Sequence, residues 1–558
     1  MIIGLDVGGT YTDAVLLDGG RVVMKNKAPT DDSRLLNSLI NALDPLLENA
    51  GKENLERIVL STTLITNLIA AEKMDRAALV IIPGPGLQPD AFDYRVEDIF
   101  LLSGAVDYLG REIEPLNEKE IRTCAAEIGG RGIRDAAVVG KFSQRNNAHE
   151  RRVAGILEEE VPGLRVVLGH RVTGRLNFPR RVYTSLLTLA TRDKFRGFYS
   201  GILDLLEKKG ITAPLYILKA DGGTLAFDLA AEKPVETILS GPAAGVLGAL
   251  ALHPPGTTSV VVDIGGTTTD LSLILSGKPL LASRGARIGG RLTHVRSFAA
   301  GSTAVGGDSA LRIEDGALKI MPYREGPAFC LGGPCPTPTD AMRTANLTEL
   351  GDGRKAAAAM EMMGRRLGLD ARRTADLVLV ETVKRIAAAI EKMFSAWEEE
   401  PLYRIWELRQ ERNARPQNLV GIGAASPGLL PLLGKETGCG ALIPPDADVA
   451  NAVGAALARV NLRLTFHFDT ERDFYFIEEN GVQGRSADVD SLADAEDFSL
   501  RKLKGEGARI GVPGGSEPEI VYSEMFNMVR GGRTAGRLID VCVQFPAGII
   551  GRREGGDS

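Results

Sequence analysis

The chain has 558 residues, 44% hydrophobic and 25% charged, with a net charge of −6; at about 150 residues per domain it holds three or four compact units, and this composition excludes a disordered, collagen-like or disulfide-scaffold protein. No apolar run approaches the roughly 20 residues of a membrane-spanning helix and no long basic run suits a phosphate backbone, so neither a membrane nor a nucleic acid is an expected partner. Met1 leads directly into the strand-like Ile2-Ile3-Gly4-Leu5-Asp6, with no basic start or apolar signal core, and the five cysteines are scattered, so cytoplasm is the expected compartment.

The chain opens on an apolar run that enters a glycine turn and leaves as a second alternating run: residues 3–17 read Ile-Gly-Leu-Asp6-Val-Gly8-Gly9-Thr10-Tyr-Thr12-Asp13-Ala-Val-Leu-Leu. This is the pattern of a hairpin with a tight glycine turn. Residues 35–47 are amphipathic at helical spacing, and such segments alternate with short apolar runs at 136–139 and 215–218, which predicts α/β layering. Residues 260–274 then repeat the opening as Val-Val-Val-Asp263-Ile-Gly265-Gly266-Thr267-Thr-Thr269-Asp270-Leu-Ser-Leu-Ile. In each copy the second aspartate lies seven residues after the first, so each copy is expected to open one half of a duplicated fold. After residue 350 the chain turns helical, with Val383, Ile386, Ile390 and Met393 on one stripe. A strand beginning at Leu419 breaks at Gly421-Ile422-Gly423-Ala424-Ala425 before another helix. Beyond about residue 460, segments 462–468 and 539–545 alternate at period two. The expected units are therefore 1–170, 171–459 and a small β-rich appendage, 460–558.

A Gly-Gly turn lets the backbone approach a phosphate with no Cβ in the way and aims successive N–H groups at one point. Gly8, Gly9, Gly265 and Gly266 are therefore candidate cradles, with Thr10, Thr12, Thr267 and Thr269 as hydroxyl donors. Asp6 and Asp263 are candidate metal residues, because Mg²⁺ keeps most of its hydration shell and needs only a carboxylate or two. With Asp13 and Asp270 they form the set expected to act in catalysis. Two copies of Asp-x-Gly-Gly-Thr-x-Thr-Asp make a merely structural turn a poor explanation, and neither copy is a Walker or dinucleotide motif. Gly306, Gly307 and Asp308, with Gly421, Gly423 and Ala424, are expected to complete the nucleotide site. The histidines 149, 170, 253, 294 and 467 are scattered and read as structural or surface residues rather than metal ligands.

The paired hairpins with the Gly421-to-Ala425 break resemble the actin, Hsp70 and sugar-kinase superfamily over residues 1 to about 458. That resemblance implies a duplicated, ribonuclease H-like α/β ATPase fold, with the phosphate hairpins facing each other across an interdomain cleft and adenosine at the later glycine-rich turn. A narrower resemblance is to the hydantoinase/oxoprolinase family, specifically its A-type ATP-binding subunit. It rests on Ser61-Thr62-Thr63-Leu-Ile-Thr66-Asn67, Phe142-Ser143-Gln-Arg-Asn-Asn-Ala-His149-Glu150, Asp221-Gly222-Gly223, Ser240-Gly241-Pro242-Ala243-Ala244-Gly245 and Ala450-Asn451-Ala-Val-Gly454-Ala455, in the family's order. It implies ATP and Mg²⁺ as cofactors and phosphorylation of the carbonyl oxygen of a cyclic amide, such as a hydantoin or 5-oxoproline, ahead of hydrolysis. It also implies a B-type partner subunit and leaves self-association open. A carboxylase branch activating a ketone and bicarbonate, a small-molecule kinase and a non-catalytic nucleotide switch are the other readings. Ser240 is expected to cap its helix, and Arg180 and Arg181 to be either a fork for a substrate carboxylate or a solvated surface pair. Asp308 departs from the family's glycine run, which usually ends in serine.

Overall fold

The computed structural model describes every residue except 32–33, 52–53, 88–93, 95, 253–255, 401–413, 514 and 551–558; His253 therefore lies outside the described residues. The architecture is mixed α/β and duplicated. A first six-stranded sheet runs in the order Thr224–Ala226, Leu215–Leu218, Arg57–Thr62, Ile2–Val7, Tyr11–Asp18, Arg21–Pro29. Two of its strands come from beyond residue 171, so the chain returns to its first half before starting the second. Helices Leu35–Ala50 and Phe178–Lys208 pack on this sheet through one shared core. A four-stranded parallel sheet, centred on Ala78–Ile82 and Asp135–Gly140, is buried on both faces, which is why those strands are continuously apolar rather than alternating.

The second half repeats the opening scheme. Ser259–Ile264 pairs antiparallel with Thr269–Leu275 and parallel with Asn418–Ile422, just as Ile2–Val7 pairs with Tyr11–Asp18 and with Arg57–Thr62. Helix Ala371–Glu398 covers this sheet through the expected stripe, burying Val383, Ile386 and Ile390.

Helices Ser240–Leu252 and Ala450–Leu457 lie between the two sheets and share a core with Val15 and Leu17 of one hairpin and Val261 and Ile274 of the other. They cross almost backbone to backbone. A Cβ on Gly454 would stand 1.9 Å from the Ala244 carbonyl, one on Gly248 would stand 2.1 Å from the Ala450 carbonyl, and one on Gly4 would stand 2.1 Å from the Ala452 carbonyl. Only residues without side chains permit that approach.

The last unit is an antiparallel five-stranded sheet, ordered Gln483–Arg485, Phe474–Ile477, Leu462–Asp469, Arg533–Phe545, Glu519–Arg530, with helix Leu492–Arg509 on one face. Leu464, Phe466 and Phe468 point into its core. The alternate residues Arg463, Thr465 and His467 take the opposite face of the strand.

Candidate active site

Asp6 and Asp13 stand directly opposite one another in the first hairpin, and Asp263 and Asp270 do so in the second. Residues paired across an antiparallel ladder share a face, so each hairpin presents two carboxylates side by side. The turns also match: Gly8 N donates to Tyr11 O at 3.1 Å and Gly265 N to Thr268 O at 3.0 Å. Beyond those bonds, the N–H groups of Gly9, Thr10, Gly266 and Thr267 donate to no acceptor among the described residues. Gly9 and Thr10 are exposed. Two sets of unengaged donors in glycine turns are a receptive surface for anionic oxygen.

Asn451, at the start of helix Ala450–Leu457, connects the two aspartate pairs. Its Nδ2 donates to Asp263 Oδ2 at 3.3 Å, and with Ser61 it lies near enough to Asp6 to oppose the rise of that carboxyl. Burial pushes Asp6 up to about 6 and Asp263 up to about 7. Repulsion adds to both, from Asp13 at Asp6 and from Asp270, Asp6 and Asp13 at Asp263. Burial also raises Asp270, and it raises Asp13 against the opposing charge of Lys27, whose Nζ lies 2.8 Å from the Asp13 carboxylate. Asp6 Oδ1 is buried with no hydrogen-bond partner. Crowded, desolvated carboxylates with an orphaned oxygen fit a divalent cation. Among the described residues no group of three or more His, Cys, Asp or Glu forms a cage, which suits an ion that draws its remaining ligands from water and phosphate.

The structure reassigns several residues expected to touch nucleotide. Thr12 and Thr269 are fully buried on the opposite strand face from the aspartates, with Thr12 Oγ1 at 3.0 Å from Thr30 Oγ1 and Thr269 Oγ1 donating to Val305 O at 2.7 Å. Gly306 and Gly307 brace the second turn: Gly307 N donates to Gly265 O at 2.9 Å and Asp308 N to Gly266 O at 2.6 Å. A Cβ on Gly306 would fall 2.6 Å from Gly265 O. Asp308 is the part of this segment that keeps an available group, its carboxylate lying over Gly266 and 3.3 Å from Thr339 Oγ1. Gly421 sits inside a strand and makes room for Leu430 and Ser426 of the following helix. Gly423, at φ +84°, is the residue whose α-carbon faces Asp263, and Ala424 beside it is exposed.

Two of the motifs that carry the family resemblance meet beside the first turn. Thr63 Oγ1 donates to Val7 O at 3.1 Å, and Thr66 Oγ1 accepts from Leu239 N at 3.3 Å. Ser240 does not cap its helix as expected; the helix begins on it, and its hydroxyl accepts from Thr62 N and donates to Thr62 O. Leu239 holds φ +63° to make this junction, a strained conformation of the sort that gathers near functional sites.

The other expected segments are structural. Glu150 is wholly buried and accepts from Gly140 N and from His170 Nδ1. Arg181 is neither a substrate fork nor a surface residue: it is buried and donates to Gln144 Oε1 and to the carbonyls of Arg175 and Gly140. Arg180 donates to Arg284 O at 3.0 Å. His149 pairs with Glu112, and His467 is held between Asp540 and Glu478. Asp221 and Gly223 join the first sheet to the last unit through Asn461. Sequence reasoning missed Asn451 and Ser61 as partners of the aspartates. Both stand within the segments carrying the family resemblance, but no spacing rule marks them as neighbours of Asp6.

The family model described as hydantoinase/oxoprolinase matches residues 181–463, and the one described as that family's N-terminal region matches residues 2–161. The chain is 24% identical to the acetophenone carboxylase gamma subunit of Aromatoleum aromaticum over 95% of its own length and 77% of that protein. It is 25% identical to the caprolactamase subunit alpha of Pseudomonas jessenii, over 82% of its length and 70% of that protein. Its fold is similar to the crystal structure of the ATP-dependent caprolactamase from Pseudomonas jessenii, with a TM-score of 0.73 at 20% identity over 99% of this chain and 88% of that one.

Proposed function

The chain belongs to the hydantoinase/oxoprolinase family, and from that premise we propose that it is the ATP-binding subunit that phosphorylates the carbonyl oxygen of a cyclic amide ahead of its hydrolysis. The observation that carries the reading is the approach of both aspartate pairs to one another beside Asn451, which donates to Asp263, between two glycine turns with unengaged N–H groups. The turns around Gly9 and Gly266 bind phosphate oxygens through those donors. Asp6 and Asp263 are the residues that would hold hydrated Mg²⁺, which would supply neutralising charge. Asn451 keeps the two carboxylates in register, so that groups from both halves meet the same triphosphate. The expected role of Asp308, over Gly266, is to order water at the transferring end. Phosphoryl transfer rests chiefly on positioning and charge neutralisation, which these elements supply without an enzyme nucleophile.

In the proposed reaction the amide carbonyl oxygen attacks the γ-phosphorus and ADP leaves. Water then adds to the activated carbon, the C–N bond breaks to open the ring as an acyl phosphate and a free amine, and a second water releases phosphate and leaves the acid. A second reading, activation of a ketone or bicarbonate for carboxylation, is supported by the acetophenone carboxylase relative. The relatives are named as subunits, which supports a B-type partner here. Calorimetry with Mg-ATP tests the binding step, because a ligand at 100 times its dissociation constant stabilises the native state by about 2.7 kcal/mol. An ATPase screen across hydantoin, 5-oxoproline and small ketones, with and without the partner, tests the chemistry. Absence of both heat and thermal stabilisation at saturating Mg-ATP would sink the reading.

A further inference from the structure

A cavity of about 780 Å³ is not lined by either glycine turn. It lies where the first half, the second half and the last sheet meet, and it adjoins a second chamber of about 280 Å³. The two chambers share Arg175, His294, Arg296 and Arg463. Leu275, at the far end of the strand that begins at Thr269, lines the large chamber, which sets that wall about 20 Å from the phosphate turn at roughly 3.3 Å per residue.

Charge at this neck is only partly paired. Arg175 pairs with Glu478 at 3.3 Å, and Glu478 and Asp540 are bridged by His467. Arg296 and Arg463 make no ion pair among the described residues, and Arg463 Nε is buried without a partner; the acidic neighbour of Arg463 and Arg175 is the buried Glu479, already held by Thr465 N and Oγ1. Asp221, the acidic neighbour of Arg296, is already held by Lys219, Asn461 and Gly223 N. Both ring nitrogens of His294 are buried and unpartnered. Arg145 lies over the Phe476 ring at 5.0 Å with no ion pair of its own. Desolvated guanidiniums that repel one another carry a cost that a complementary anion removes. Beyond the neck the large chamber is mixed, and Leu280, Trp397, Phe526 and Leu538 supply its apolar wall.

We propose that this cavity binds an organic carboxylate, its carboxyl group held between Arg296, Arg463 and His294 and its apolar body in the larger chamber. Guanidiniums match a carboxylate by parallel N–H donors, and the neutral imidazole offers one donor and one acceptor. The inference is independent of which carbonyl compound is phosphorylated, because the cavity shares no lining residue with the glycine turns.

The test is calorimetry and thermal shift on the full chain with phenylacetate, using succinate, inorganic phosphate and neutral phenylacetamide as comparators. Phenylacetate is expected to bind and stabilise, phenylacetamide to bind at least about tenfold more weakly, and Arg296→Met or Arg463→Met to lose about ten- to a hundredfold in affinity, as expected for lost charge-assisted hydrogen bonds. Arg296→Lys keeps the charge and should recover part of the loss. The apo melting temperature of either Met variant should hold or rise, since an unpaired charge has been removed, and Mg-ATP binding should be unchanged. No heat with phenylacetate, equal binding of the amide, tighter binding of phosphate, or wild-type affinity in both Met variants would each overturn the proposal. A Met variant that melts lower without ligand would show Arg296 or Arg463 to be structural and would overturn it equally.

Discussion

Replacing Asp263 with asparagine keeps volume and hydrogen-bonding shape but deletes one charge at the point where both halves meet. In the apo protein that charge is unfavourable, because burial and the neighbouring aspartates displace the carboxyl from 3.8 to about 7. A displacement of that size penalises the ionised form by roughly 4 kcal/mol at most. The sign follows from the direction: the folded state holds the proton more tightly than the unfolded chain, so this residue costs stability progressively as pH rises from about 4 to about 7, and by a constant amount above. Asp263→Asn should therefore melt higher than wild type at pH 8, with the difference shrinking toward pH 5. Mg²⁺ and nucleotide reverse the ranking, because the cation offsets the very repulsion that the variant has lost. ATP turnover should fall by about a hundredfold or more, the usual scale for an electrostatic element of a site. Melting temperature across pH 5–8, with and without Mg-ATP, and ATPase rate against Mg²⁺ concentration check both arms. An asparagine variant with wild-type turnover and unchanged Mg²⁺ dependence, or one that melts lower than wild type in the apo state, refutes the reasoning.

Gly423→Ala would place a Cβ 2.4 Å from Asp263 Oδ1 at φ +84°; it should weaken Mg-ATP binding by about tenfold while costing the apo fold about 1–3 kcal/mol, measured by calorimetry and denaturant melts. Gly454→Ala, whose added Cβ meets the Ala244 carbonyl, should destabilise by about 1–3 kcal/mol or more through forced separation of the two helices, and a soluble variant with unchanged denaturant midpoint counts against the close crossing. His467 is raised to about 9 by its bonds to Asp540 and Glu478, against the opposing effect of burial. Its stabilising contribution is therefore complete below about 6.5 and lost as pH rises through about 9. His467→Gln should erase that alkaline slope, and an NMR titration of the imidazole near 6.5 would contradict it.

The hairpins were legible because the sequence states them twice. An aspartate seven residues after another, with the turn between, can only face its partner across the ladder, as Asp6 and Asp13 do. The same alternation carries Thr12 and Thr269 to the far face, so the misassigned threonines follow from the register that makes the aspartates a pair. Gly306 and Gly307 illustrate a different limit. Glycines that let a ligand approach and glycines that let another backbone approach look alike in sequence, and these do the second, against Gly265 and Gly266. The role of Asn451 was hidden for a third reason: it lies 188 positions from Asp263, and only the return of helix Ala450–Leu457 to the space between the two sheets brings it there. The neck arginines Arg175, Arg296 and Arg463 are distributed in the same way among distant stretches of the chain, with no local pattern to announce them.

The crossing of helices Ser240–Leu252 and Ala450–Leu457 behaves mechanically as a bearing. Contacts between backbones have no side-chain rotamers to give way, so one helix can turn against the other more easily than it can be pulled off or pushed in. The strand Ile2–Val7 lies on this contact through Gly4 and ends at the first glycine turn. From Gly4 to Val7 the lever arm is about 10 Å at roughly 3.3 Å per residue, so a rotation of about 9° carries the turn through about 1.5 Å. That travel is comparable to the difference between a direct hydrogen bond and one bridged by water. A bearing this tight therefore converts small angular play into a choice between gripping and releasing a phosphate, while leaving the interior packing of each half unchanged.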